Sequence, residues 1–330
     1  MTAPVARRPR RTATAGLAPD SGIDLATWDV LVIACSAGKD SMAMLAYLAD
    51  LITRQDYRGR VVVLYNDLGT TASGQSIEWP GARQLAHEHA TVFGFEFVVR
   101  RRSRGGLWQQ LLQERRLWPS SQARWCTSDQ KSGTSLTWIT EAVEEFWQAL
   151  GVPADRPVQV LYCLGLRGEE SASRAAQPIL AVNTRRSSRH RTITRWLPIR
   201  DWTIGQVWEQ IKRSTLRPHR AYSWGMSRLS CSMCVLGSMD DLLLAAALRP
   251  QMAADYHEAE IQLGHRFHAQ AVHGRDPRRP ASRPPGSRGR SRCRRRQGPA
   301  VADGPQPHRR RPQPGRARQG RPTLDPAADQ

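Results

Sequence analysis

The stretch VLVIACSAGKDSMAMLAYLADL, Val30 to Leu51, decides how the fold is read. The run DVLVIACS over 29–36 is apolar and rich in β-branched residues, the pattern of a strand buried on both faces. Small residues follow at once, and Asp40 to Leu51 then reads as a helix. A strand, a small-residue turn and a helix in that order can build an anion site. The first N–H groups of the helix lack partners, and its dipole favours negative charge. SAGKDS fails as a Walker A loop. Aligning G-x-x-x-x-G-K-[ST] on Gly38 and Lys39 puts Ile33 at the first glycine and Asp40 at the Ser/Thr. Two readings stay open at this point. Ser36, Ala37, Gly38, Lys39, Asp40 and Ser41 either cradle a phosphate or form an ordinary strand–helix turn with a Ser/Asp cap. In the first case Asp40 is the helix N-cap or, through a divalent ion, a phosphate contact.

Outward from this stretch the pattern repeats. Strands are expected over 59–67, 95–101 and 158–167, and helices over 81–94, 106–118 and 133–150. Four strands alternating with helices predict an α/β fold, an open parallel sheet with helices on both faces. Ligands then gather at the carboxyl ends of the strands, so Ser36, Asn66–Asp67 and Gly165–Arg167 should meet at one crevice. Asp67 either hydrogen-bonds a ribose or adenine there, or forms a turn before Gly69. The 11 tryptophans fall mostly at helical or strand spacing and are expected in the core rather than as base-stacking platforms.

The charge is uneven. Residues 275–330 hold 16 Arg and 4 acidic residues, a net of +12 out of +20, which leaves +8 for the other 274 residues. Three regions follow: a basic leader at 1–25, a folded region at 26–274, and an Arg/Pro-rich tail at 275–330. Leader and tail carry too few large apolar residues to offset the entropy of ordering, and both are expected to be disordered. Nucleic acid is a candidate partner through these basic ends. No run of about 18 apolar residues is present, so no membrane helix is expected. The N-terminal residues lack the apolar core of a secretion signal, so a cytoplasmic protein with reduced cysteines is expected.

SAGKDS resembles the S-G-G-x-D-S pyrophosphate loop of the adenine nucleotide α-hydrolase-like ATP pyrophosphatases, with Ala37 in place of the first glycine. Further segments, in order, resemble the phosphoadenosine phosphosulfate (PAPS) reductase family within that superfamily. They are WCTSDQK (125–131), LGLRGEESASRA (164–175), WLPIRDWTIGQVWEQI (196–211) and SCSMC (230–234). The resemblance implies an adenine nucleotide, ATP or a relative, with Mg²⁺. It places nucleotide contacts at Gly165, Arg167, Arg174 and Lys131 beside the loop, and gives Lys39, Asp40 and Arg167 the catalytic roles. Arginines suit this task because a planar guanidinium binds phosphate bidentately.

The resemblance also implies a metal centre on Cys126, Cys231 and Cys234, a [4Fe–4S] cluster or alternatively Zn²⁺. The family's cluster uses four cysteines. Here Trp125 stands where one of them would be, and His219 is a candidate replacement. Cys35 and Cys163 lie on strands and read as packing. The family's reductases carry a nucleophilic cysteine in a C-terminal E-C-G-x-H element. After Cys234 this sequence has only Cys293, inside RSRCRRR, with no such context. The leading expectation is therefore an enzyme acting at the nucleotide's phosphates, by adenylation with pyrophosphate release, coupled to sulfur transfer. One alternative is a PAPS or adenylylsulfate reductase, so transferase and oxidoreductase classes both stay open. The other is a non-catalytic nucleic-acid-associated module.

Overall fold

The computed structural model describes residues 22–150 and 156–268. The expected leader falls outside these residues up to position 21, and the expected tail, with Cys293, falls outside them entirely. Within the stretch read as leader, Ile23 and Leu25 are buried in the core.

Six strands form one sheet: β1 (Val30–Ala34), β2 (Arg60–Asn66), β3 (Glu96–Arg100), β4 (Val158–Cys163), β5 (Leu180–Val182) and β6 (Arg191–Trp196). Their order is β3-β2-β1-β4-β6-β5, and every neighbouring pair is parallel except β5 with β6. The helices are α1 (Lys39–Arg54), α2 (Ala82–Val92), α3 (Leu107–Gln109), α4 (Trp125–Thr127), α5 (Thr134–Leu150), α6 (Ala172–Ala175), α7 (Ile204–Arg213), α8 (Met239–Leu248) and α9 (Pro250–Leu263). The open, mostly parallel α/β sheet expected from the sequence is the fold observed.

The pleat explains the layers. Leu31, Ile33, Val61 and Val63 point to one face, where they pack with α1, α2 and α7. Val30, Val32, Val62 and Val160 point to the other and pack against Trp138, Ile139, Ala142 and Val143 of α5. Burial on both sides is why these strands read as unbroken apolar runs.

Three features lay outside the sequence reading. The helix expected over 106–118 is a short α3 that passes into a π-helical turn, Gln110–Arg115. A second π-helical turn, Ser128–Gly133, joins α4 to α5, and such widened turns often mark functional sites. The sequence does not predict the β5–β6 hairpin, because β6 has only two apolar residues, Ile193 and Trp196, three apart. Trp108, Trp118, Tyr256 and Phe267 build a third apolar cluster, against which Cys126 and Cys231 pack. Trp79, Trp108, Trp118, Trp138, Trp196 and Trp202 are all buried, as a core role requires.

Candidate nucleotide site

Strand order puts β1 in mid-sheet. The chain moves from it to β2 on one side and later to β4 on the other, so the crevice of such a sheet opens beyond the ends of β1 and β4. The loop Ser36–Gly38 leaves β1 here, and Gly165 and Arg167 leave β4. A Cβ on Gly165 would stand 3.2 Å from three backbone atoms of Asp40 and Ser41, so glycine lets the two strand ends close up.

Ala37 lies in the left-handed region, with φ 58°. A glycine would adopt this conformation without the Cβ penalty. The helix N-cap is Gly38 and makes no side-chain cap, so Asp40 is not the cap; it is the second residue of α1. Its carboxylate instead joins two cations, Arg167 Nε at 2.6 Å and Lys39 Nζ at 3.3 Å. Arg167 is buried, and it also donates to Glu169, which accepts from the N–H of Ile204 at 2.9 Å. The Ser41 hydroxyl donates to Gly38 O at 2.9 Å and accepts from the N–H of Ser36 at 3.2 Å. Lys39, Asp40, Arg167, Gly165, Ser36 and Ser41 thus meet at one place.

A segment that carried no motif lies across this loop. The N–H of Lys39 donates to Tyr222 Oη at 2.7 Å, and Lys39 Nζ donates to Ser227 O at 3.2 Å. A Cβ on Gly38 would stand 2.8 Å from Leu229 O, so only glycine fits beneath this strap. Ser227 is held in turn by Asp241 of α8, to which its N–H and hydroxyl donate at 2.7 and 2.6 Å. Burial lowers the Lys39 ammonium below its ordinary value, opposed by Asp40.

Arg174 pairs with Glu170. Its guanidinium is brought down to about 10 by burial and by neighbouring Arg124 and Arg228. Arg124 and Arg228 therefore belong to the same positive field, although neither stands in a recognisable motif. Arg228 Nε is buried without a hydrogen-bond partner.

Other expected contacts are engaged elsewhere. Asp67 accepts from the N–H of Gly69 at 2.8 Å and from Arg101 at 2.7 Å, which is the turn-forming role. Lys131 donates to Ser230 Oγ at 3.0 Å. Burial would lower the Lys131 ammonium, but Cys231, Cys234, Glu78 and Cys126 around it raise it. Glu78, from a segment given no chemistry above, is pushed up to about 7 by burial and accepts from the N–H of Leu68 at 3.2 Å.

The thiols do not assemble a ligand set. Among the described residues no group of three or more His, Cys, Asp or Glu is placed to hold a metal ion. Lys131 sits among Cys126, Cys231 and Cys234, where a positive charge is favoured by thiolate character on these sulfurs. His219 is committed on both ring nitrogens: Nδ1 accepts from the N–H of Ala221 at 3.1 Å, and Nε2 meets Pro80 O at 3.0 Å. The three expected thiols thus lie near one another around Lys131, while His219 is engaged elsewhere. Cys35 and Cys163 are buried core residues, in keeping with a packing role. A groove of 510 Å³ along edge strand β3 is lined by Gly81, Arg83, Gln84, His87, Phe97 and Val99, none of them part of the loop.

Comparison with known proteins follows the same outline. Over 145 residues the chain is 28% identical to an uncharacterized 37.8 kDa protein in the gpa 5' region of Escherichia phage 186. That alignment covers 43% of this chain and 39% of the phage protein, so less than half of the relative's length is spanned. Among solved structures, a PAPS reductase from Candida auris in a phosphate complex is 15% identical, with a TM-score of 0.36, over 61% of this chain and 80% of that one. The U34-tRNA thiolase NcsA from Methanococcus maripaludis, with its [4Fe-4S] cluster, is 13% identical, with a TM-score of 0.40, over 77% and 79%. An FMN adenylyltransferase from Candida glabrata, in complex with FAD and inorganic pyrophosphate, is 12% identical, with a TM-score of 0.37, over 62% and 57%. Residues 30–236, from β1 through the strap to just past Cys234, match the phosphoadenosine phosphosulfate reductase domain, and the chain belongs to that family.

Proposed function

We propose that the chain binds ATP or a related adenine nucleotide with its phosphates on Ser36–Ser41 and acts at those phosphates. An acceptor oxygen attacks the α-phosphorus, the bond to the bridging oxygen breaks, and pyrophosphate leaves with the electron pair. The acceptor keeps the adenylyl group. The observation that carries this reading is the Arg167–Asp40–Lys39 chain, which joins the ends of β4 and β1 at 2.6 and 3.3 Å. It sets two cations beside a small-residue loop and a helix N-terminus, where developing phosphate charge is best stabilised. Mg²⁺, where it accompanies the nucleotide, would add charge neutralisation. Phosphate oxygens would take the places that Tyr222 Oη and Ser227 O hold on the N–H and ammonium of Lys39.

This reading draws on no metal centre; Cys126, Cys231 and Cys234 would be the residues to hold one.

Calorimetric titration with ATP and Mg²⁺ tests the proposal. Lys39→Ala is expected to weaken binding about 10- to 100-fold, the worth of one charge-assisted phosphate contact. ATP affinity unchanged in the Lys39→Ala/Asp40→Ala double variant would sink it.

A further inference from the structure

We propose that the β5–β6 hairpin is a docking surface for the sugar–phosphate backbone of a nucleic-acid strand. The inference stands on charge and exposure in the folded unit and does not use the Arg-rich tail. Before Arg275 the chain carries +8, of which Arg7, Arg8, Arg10 and Arg11 supply +4. Residues 171–200 alone hold seven Arg and no Asp or Glu. The rest of 12–274 is therefore net negative, by 3, although shorter basic runs occur at 100–104 and 212–228.

The structure puts that segment on the rim. β5 is the last strand of the sheet, and its partner β6 follows a turn containing Arg185, Arg186 and Arg189. Arg185 and Arg189 are exposed, and Arg186 and Arg191 are partly so. Arginines elsewhere, such as Arg60, Arg102 and Arg115, pair with carboxylates. Among the described residues these four form no salt bridge with any carboxylate. Arg191 Nε donates to Arg186 O at 2.8 Å, and Arg189 Nε to His190 Nε2 at 2.9 Å. Four guanidiniums within seven residues, uncompensated and on a turn ordered by its own hydrogen bonds, repel one another unless anions gather on them.

A polyanion with one charge per phosphate suits that spacing. Arg with interspersed Ser and Thr is the side-chain set that contacts phosphates. An acidic protein is the weaker candidate, since the exposed turn and edge offer no Trp or Tyr to anchor such an interface. The hairpin also adjoins the candidate site. The N–H of Leu164 donates to Trp196 O at 2.9 Å, and the N–H of Gly168 to Arg200 O at 2.7 Å, so the arm that leaves β6 touches the loop bearing Arg167.

The test uses the full chain and fluorescein-labelled 20-nucleotide single strands of DNA and of RNA, with anisotropy read from low to 1 M salt. In Arg185→Ala/Arg186→Ala/Arg189→Ala the slope of log affinity against log salt should fall by about 2, at roughly 0.7 per phosphate contact. Affinity at 0.1 M salt should then drop about 100-fold, the difference closing near 1 M. The matching triple Lys variant should keep most of the binding. Affinity and slope unchanged in the Ala variant would place binding elsewhere in the chain and overturn the proposal. Poly-glutamate bound as tightly as the oligonucleotide, and lost equally in the Ala variant, would also overturn it, in favour of an acidic protein partner. Should the Ala variant not fold, hydrogen exchange of the wild-type chain decides: slowed exchange over 183–193 on adding oligonucleotide supports the surface, and no change there refutes it. ATP titration of the Ala variant separates this from nucleotide binding, which Lys39 serves and the hairpin does not.

Discussion

At the residue scale, Ala37 is the departure from the S-G-G-x-D-S pattern, and the structure gives its physical meaning. A φ of 58° is a glycine conformation, so the alanine is held under local strain by its neighbours. Ala37→Gly should stabilise the protein by about 0.5–1 kcal/mol without loss of ATP affinity, read by chemical denaturation and titration. A destabilised variant would mean that the methyl group's packing outweighs its strain. Asp29 gives the pH dependence. Burial alone would raise its carboxyl, but hydrogen bonds from Arg156 and the N–H of Gln159 hold it below the ordinary value of 3.8. Its contribution is therefore present above about pH 4 and disappears as pH falls through the lowered value. Asp29→Asn should cost on the order of 1 kcal/mol at pH 7, discounted for the exposure of Arg156, and progressively less as pH falls through the lowered value. A cost that stays the same as pH falls would show that packing rather than charge is lost.

At the element scale, the site depends on how closely two strand ends approach. Gly165→Ala inserts a methyl group 3.2 Å from the backbone of Asp40 and Ser41, where no flexible side chain can yield. The end of β4 must move back, which lengthens the Arg167–Asp40 contact. ATP affinity should fall about tenfold, with a stability loss of about 1–3 kcal/mol. Affinity kept while stability falls would separate the fold's need for this glycine from the site's. The strap, Tyr222 to Leu229, belongs to this scale too. It reaches the loop through one phenol and two carbonyls, and backbone contacts of this kind leave no mark in residue type.

At the scale of the whole molecule, a buried acid is among the contacts that tie the segment after β2 to the thiol region. Asp255 of α9 accepts from the hydroxyls of Thr71 and Ser73 in the segment after β2. Asp255→Ala should cost about 2 kcal/mol. It should also speed hydrogen exchange over 70–77 and raise alkylation of Cys231, while leaving ATP affinity near that of the wild type. Unchanged exchange there would mean that the aromatic cluster and the Arg249–Glu78 contact hold α9 without Asp255. The central strands and α1 were legible because burial on both faces forces unbroken apolar runs and a long helical stripe. The loop was legible because close backbone approach demands small residues, and Arg167 because its motif lies at the end of a readable strand. β6 was not, since its two apolar residues, Ile193 and Trp196, are three apart and Arg and Thr fill the rest. Nor was the Asp40–Arg167 pairing, 127 residues apart in the chain. The order of apolar and polar residues by itself determined the parallel sheet and the position of the Ser36–Ser41 loop, because both follow from local burial and backbone sterics. Only the tertiary structure decided that Asp67 pairs with Arg101, that Lys131 stands among the thiols, and that Tyr222 and Ser227 hold Lys39. Those are meetings of distant segments, set by packing rather than by any local preference.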